Sequence, residues 1–243
     1  MLANPLISIS VVSHSHGSLV TRALKSLSAV CNCTALECIV TKNLPEKIDY
    51  PASLKVREVE NLRPRGFAQN HNRAFEISRG EYFCILNPDV VFEEDVFGYL
   101  IERLKSEPRS VVAPLVYGPD NKVQDSFRQD ITVWKLLRRK LLGWQDYNYE
   151  VLARSGCRIS PDLIGGMFLL LSRQIYQELK GLDERYWLYC EDADFARRAR
   201  QLGVNSYVYP SVSIVHSAQR AGRRIPWFFA LHLRSMIRYL WGF

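Results

Sequence analysis

The chain of 243 residues has no long hydrophobic run; apolar stretches such as Met167 to Leu171 fall far short of the about 18 residues that mark a membrane span. It also lacks a C-x-x-C pair. The six cysteines, Cys31, Cys33, Cys38, Cys84, Cys157 and Cys190, show no disulfide-scaffold spacing, and "CNCTALEC" (31–38) has no second knuckle for zinc. Reduced, core-packing thiols are expected. The opening "MLANPLISISVV" has no basic n-region and no small-residue cleavage site, which predicts a mature chain starting on a strand and a cytoplasmic location. There is no internal repeat, low-complexity tract or obvious linker, so one domain is expected over residues 1–225, followed by a separate helix over 226–243. Acid is missing from the tail: residues 195–243 hold eight arginines and no Asp, Glu or Lys, while the preceding residues carry 24 basic and 25 acidic side chains. The whole excess of +7 therefore sits there, and such a patch suits membrane headgroups, nucleic acid or phosphate ligands.

What is present is ample material for a core, with 47% hydrophobic and 12% aromatic residues. Strand and helix patterns alternate through the first half, which predicts an α/β fold with a mostly parallel sheet. Strands are expected at 6–12, 35–41, 54–60 and 81–87. Helices are expected at 18–30, over "FAQNHNRAFEISRG" with Gly80 as the stop, and at 93–107. Further on the pattern predicts strand, turn and strand over 110–127, a basic amphipathic helix over 131–144, a strand over 161–172 that carries a Gly pair, a short helix ending at Gly181, and a helix over 192–203.

Four segments carry candidate chemistry. Asn87-Pro88-Asp89 ends a strand suited to the middle of a sheet, where open α/β sheets place ligands, and Ser13-His14 ends the first strand in the same way. A carboxylate there would hold Mg²⁺ or Mn²⁺ beside a nucleotide's phosphates; a solvated turn is the plainer alternative. In "WLYCEDADF" (187–195), Asp192 and Asp194 lie about 200° apart on a helix, so only one can face a given pocket as a general base. The acids would otherwise serve only the helix dipole. His216 precedes an arginine-rich stretch with Arg220, Arg223 and Arg224, which suits a cation and diphosphate. Gly66 opens a helix whose backbone N–H groups would suit phosphate or sugar oxygens, unless the Asn-rich start caps itself.

Taken together, "RGFAQNHNRAF", "ILNPDVVF", "LIGGMFLLLSRQIYQELKGLDERYWLYCEDADFARRARQLG" and "VYPSVSIVH" resemble the family 2 glycosyltransferases, and within them the rhamnosyltransferase-like branch of bacterial surface-polysaccharide synthesis. The resemblance runs from about residue 6 to 220. It implies a GT-A fold, a nucleotide-sugar donor, a divalent Mg or Mn cation and inversion at the anomeric carbon. On the matching positions it implies Asp89 and His216 as metal ligands, and Asp192, with Glu191 beside it, as catalytic base. For the nucleotide it implies Ser13, His14, Asn43, Gly66, Asn72, Asn87, Asp89, Arg220 and Arg224. Gly165 and Gly166 would let backbone approach the sugar. Trp187 and Tyr189 would stack on a sugar face or pack in the core. Where the family shows an Asp-Asn-x-Ser-like stretch, this chain has "TKNLPEK", which keeps Asn43 and drops the acid.

By the same resemblance the donor sugar is L-rhamnose, from dTDP-rhamnose, and the acceptor a saccharide or polyprenyl-linked hydroxyl in O-antigen, lipopolysaccharide or capsule synthesis, with no nucleic-acid partner. In "WFFALHLRSMIRYLWGF", Phe229, Leu233, Met236, Ile237 and Leu240 form one helical face and Trp227, Leu231, Arg234, Arg238 and Trp241 its neighbour. Trp interleaved with Arg suits a helix lying in a membrane interface, at the inner face of the cytoplasmic membrane; packing against the domain is the alternative. Two other functions fit parts of the sequence. A sugar-1-phosphate nucleotidyltransferase would need a Gly-rich basic loop after the first strand, of which "SHSHGSL" is a poor version. A non-catalytic anionic-surface module would have no use for Asp89, Asp192 and His216.

Overall fold

The computed structural model describes residues 5–31, 35–217 and 226–242. Cys33, Arg220, Arg223 and Arg224 lie outside the described residues. The strands β1 (Ile7–Ser13), β2 (Leu36–Lys42) and β4 (Tyr82–Leu86) are buried almost throughout, as near-continuous apolar runs covered by helices on both faces must be. The edge strand β3 (Lys55–Glu60) is mostly solvated and charged. β6 (Ser110–Tyr117), β9 (Phe168–Ser172), β10 (Asn205–His216) and the short β5 (Val90–Val91) complete an eight-stranded sheet in the order β3-β2-β1-β4-β9-β6-β10-β5. β1 pairs in parallel with β2 and β4, and β10 in parallel with β6. β9 runs antiparallel to both β4 and β6, so β6 and β10 point the same way as β4.

One edge of the sheet therefore collects the carboxyl ends of β1, β2, β4 and β10. Ser13, Lys42, Asn87 to Asp89 and His216 all stand there, the edge at which α/β sheets bind ligands. The helices α1 (Gly17–Val30), α2 (Phe67–Ile77), α3 (Val96–Ser106), α6 (Arg173–Glu178) and α7 (Glu191–Gln201) take the periodic segments. Each of β4's core side chains Phe83, Ile85 and Leu86 is fully buried. That is worth about 1.5–3 kcal/mol apiece and explains why this strand cannot shift register to move Asp89.

Some expectations are corrected. α2 ends at Ile77 and Ser78, not at Gly80; a Cβ on Gly80 would lie 2.5 Å from the Ser8 nitrogen, so this glycine permits the close approach of β1. The strand expected over 161–172 is broken at its Gly pair. β8 (Leu163–Ile164) leaves to pair with β7 (Phe127–Arg128), and β9 resumes after Gly165-Gly166-Met167. α4 (Val133–Leu142) is the basic helix, and α5 (Tyr149–Ser155) follows without a sequence expectation. α8 (Pro226–Trp241) packs on the domain by the stripe Leu231, Ser235 and Tyr239, which lies between the two faces read from its sequence.

Candidate active site

Asp89 and His216 stand together: His216 Nε2 lies 3.1 Å from Asp89 Oδ1, both side chains nearly buried. The backbone locks them in place, because β5 pairs Val90 with His216 and Ser217 N donates to Asp89 O at 3.0 Å. Gln124 settles the tautomer. Its Nε2 donates to the His216 carbonyl at 2.8 Å, so its Oε1 is the atom facing His216 Nδ1 at 2.8 Å, and that nitrogen must carry the proton. Nε2 of a neutral ring then presents a lone pair to a carboxylate oxygen that has no hydrogen-bond partner among the described residues. Two acceptors face each other unless the ring is doubly protonated or a cation stands where their lone pairs converge. An imidazole whose other N–H is held by an oxygen is the usual dress of a metal ligand.

These residues fit a divalent cation, with a limit. Among the described residues no group of three or more His, Cys, Asp or Glu side chains could hold an ion. A hard cation at Asp89 and His216 would have to fill its shell with water and ligand phosphates, as Mg²⁺ commonly does.

Asp192 sits in the first turn of α7, with Oδ2 accepting from Gly166 N at 3.0 Å and Oδ1 accepting from Ala193 N at 2.8 Å. The Gly pair therefore cradles this carboxylate. A Cβ on Gly165 would come within 3.9 Å of Asp192 Oδ2, and one on Gly166 within 3.8 Å of Asp192 Cβ. Two short backbone links tie the carboxylate to the Asp89–His216 pair: Asn87 N donates to Met167 O at 2.9 Å, and Gly165 N donates to Ser126 O at 2.7 Å, two residues from Gln124. Asp194 faces away and pairs with Arg198 at 2.7 Å. Glu191 is buried, its Oε2 without a hydrogen-bond partner among the described residues. Burial, with the adjacent Asp192 charge, pushes its carboxyl up to about 8. Just before it, Tyr189 and Cys190 both hold positive φ, 72° and 65°, a costly conformation for side-chain-bearing residues.

On the β1–β2 side, Ser13 is buried and its hydroxyl accepts from His16 N at 3.2 Å, while exposed His14 lies 3.2 Å from the Asn43 amide. Asn43 is spent internally. Its Oδ1 accepts from Arg65 N at 2.7 Å and from Asn61 at 3.0 Å, and its Nδ2 donates to Arg65 O at 2.9 Å. It shapes the rim by pinning the backbone of Arg65. At Gly66, Phe67 N donates to Trp187 O at 2.8 Å, and a Gly66 Cβ would lie 2.8 Å from that oxygen, so the helix start receives the 187 loop. The Asn72 amide bonds Tyr176 Oη at 2.7 Å, Leu182 N at 2.9 Å, Leu182 O at 2.8 Å and Glu184 at 3.0 Å. Asn87 lies half-buried at the edge. Trp187 is exposed, whereas Tyr189 makes an edge contact with His232 of α8 at 5.0 Å.

Two site residues have no signal in the sequence. Gln124 follows an ordinary turn, and Arg128 lies on β7. The Arg128 guanidinium donates to Asp125 at 2.9 Å; burial opposes its charge, but Asp125 and then Asp192 outweigh that and hold its pKa above the ordinary value.

Residues 8–179 match the family model described as Glycosyl transferase family 2. A Mycobacterium tuberculosis protein named N-acetylglucosaminyl-diphospho-decaprenol L-rhamnosyltransferase is 28% identical over 169 residues, which cover 66% of this chain and 55% of the relative. The chain thus spans about half the length of that relative. The Escherichia coli protein named Rhamnosyltransferase WbbL is 24% identical over 252 residues, 97% of this chain and 92% of its own. Among solved structures, GalNAc-T7 with UDP, GalNAc and Mn²⁺ superposes with a TM-score of 0.67 at 14% identity, covering 88% of this chain and 43% of that one. At that identity the likeness concerns the fold, which is GT-A-like.

Proposed function

Because the chain belongs to glycosyl transferase family 2, we propose that it transfers a sugar from a nucleotide-sugar donor to an acceptor hydroxyl in one inverting displacement. The observation that carries this reading is an Asp89–His216 contact whose Asp89 Oδ1 has no hydrogen-bond partner among the described residues, linked through the 165–167 backbone to a cradled Asp192 carboxylate. Asp192 removes the proton of the attacking hydroxyl as the new bond forms at the anomeric carbon. Gly166 N and Ala193 N hold its two oxygens so that the carboxylate meets the acceptor in a fixed orientation. Asp89 and His216 would hold a divalent cation, which when bound supplies charge to stabilise the leaving diphosphate. Arg220 and Arg224, which follow His216 in the sequence, would clamp phosphate oxygens. Trp187 is exposed and offers a ring to a sugar face.

The two relatives named as rhamnosyltransferases favour dTDP-L-rhamnose as donor, and the decaprenol in one of those names favours a lipid-linked acceptor in surface-polysaccharide synthesis. We place the enzyme at the inner face of the cytoplasmic membrane as a peripheral protein. A panel of nucleotide sugars, tested for thermal stabilisation with and without Mn²⁺ and for slow donor hydrolysis, checks the reading. One donor at a hundredfold excess over its Kd should stabilise the fold by about 2.7 kcal/mol, and only with the cation. No stabilisation by any member of the panel would contradict it.

A further inference from the structure

Two helices of this chain turn apolar faces outward. In α8 the inward stripe is Leu231, Ser235 and Tyr239. The Ser235 hydroxyl donates to Leu188 O at 2.8 Å and Arg197 donates to Tyr239 O at 2.9 Å. A series offset by two residues points about 200° away from that stripe. It is Phe229, Leu233, Ile237 and Trp241, exposed at 69, 50, 42 and 58%, with Trp227 at 66% nearby. In α4, Trp134, Leu137 and Leu141 recur on one face and are exposed at 75, 41 and 75%. A helix serving only the core would turn such residues inward.

The segment that leads into α4 meets α8. Ile131, just ahead of α4, packs against the same buried cluster as Met236 and Leu240 of α8, a cluster that includes Tyr239, and the Tyr239 hydroxyl donates to Asp130. Charge completes the pattern: residues 133–144 and 226–243 contain Lys135, Arg138, Arg139, Lys140, Arg234 and Arg238 and no Asp or Glu.

We propose that the outward faces of α4 and α8 together form one surface that lies in the headgroup layer of an anionic bilayer. This deepens the reading above, which puts the acceptor at a membrane, by assigning the surface that meets it. Trp and Phe side chains sit at the acyl boundary and the cations reach lipid phosphates. A second copy of the chain is the poorer occupant, because it would set these cations against an equal number with no acid on either segment. No helix among the described residues is long and apolar enough to cross a membrane, so the contact lies in the plane of the interface. Seating has a consequence for the site. α8 holds Leu188 O and touches Tyr189, so it fixes the strained turn that leads directly into Glu191 and Asp192. A bilayer held by α8 is thereby coupled, through Leu188 and Tyr189, to the turn that carries Asp192.

The test is co-sedimentation of the full chain with phosphatidylcholine vesicles, with and without phosphatidylglycerol, in the absence of nucleotide and metal, followed also by tryptophan emission. Binding to the anionic vesicles, a blue shift, and weakening by salt are expected. Trp134→Ser with Leu141→Ser, and separately Phe229→Ser with Ile237→Ser, should each weaken binding about tenfold or more. Metal-dependent donor stabilisation should be unchanged in both variants, which also shows that they fold. No binding of the wild type to anionic vesicles, loss from only one of the two helices, or self-association through these faces without vesicle binding would each overturn the proposal. Donor binding without vesicle binding sinks this surface alone; vesicle binding without any donor binding sinks the transferase reading alone.

Discussion

Replacing Gln124 with leucine removes the two bonds that set the His216 ring: the Nδ1–H to Oε1 bond and the amide bond to the His216 carbonyl, each 2.8 Å. Without the first, nothing from residue 124 holds the proton on Nδ1, and the ring can present N–H in place of a lone pair toward Asp89. Loss of such an outer partner typically costs tenfold to a hundredfold in metal affinity, or about 1.4 to 2.7 kcal/mol. Stability should fall as well, by about 1 kcal/mol for each lost bond. Mn²⁺ affinity, measured by electron paramagnetic resonance in the presence of a nucleoside diphosphate, reads the first effect; thermal melting reads the second. Gln124→Glu separates them, because a carboxylate still accepts from Nδ1–H but cannot donate to the carbonyl, so affinity should be retained within a few fold while stability drops. A folded Gln124→Leu protein that binds Mn²⁺ as tightly as the wild type would refute the tautomer reasoning.

Two other outcomes follow from the geometry. The buried Glu191 carboxyl has a native pKa of about 8 against an ordinary 4.5. The folded state therefore keeps a proton that the unfolded state loses, and this contribution is complete below about pH 4.5 and gone above about pH 8. Thermal stability should decline as pH rises through that window and Glu191→Gln should flatten the decline; an unchanged slope in the variant would show that another group is responsible. Asn72→Ala should lower stability by about 2–4 kcal/mol, since it strands the Tyr176 hydroxyl and the Leu182 backbone, while leaving donor affinity intact. A variant that melts normally but loses donor binding would place Asn72 in the nucleotide set.

The central strands β1, β2 and β4 were legible in the sequence because they are buried on both faces and so appear as apolar runs, each stopped by polar residues at the carboxyl edge of the sheet. The positions of Asp89, His216 and Asp192 were legible for a related reason, since they stand where those runs stop or where a helix begins. Residues held by contacts distant in the chain were not. Gln124 acquires its role only through His216, 92 positions away, and Asn72 through Leu182, 110 positions away, and no local spacing reports either. Gly80 resembled a helix stop, yet it is required by the neighbouring β1 backbone that a Cβ would strike, and Gly66 likewise meets the Trp187 backbone. In α8 the pattern showed amphipathic faces but not which one the domain takes, because Ser235, a polar residue, sits at the centre of the buried stripe.

The most direct test of the reaction is Asp192→Asn, assayed for donor binding and for sugar transfer side by side. Asparagine keeps the shape and can still accept from Gly166 N, but it cannot take up a proton, so donor binding should match the wild type while transfer falls by about 10² or more. Transfer at the wild-type rate in this variant would contradict the assignment of Asp192 as the base.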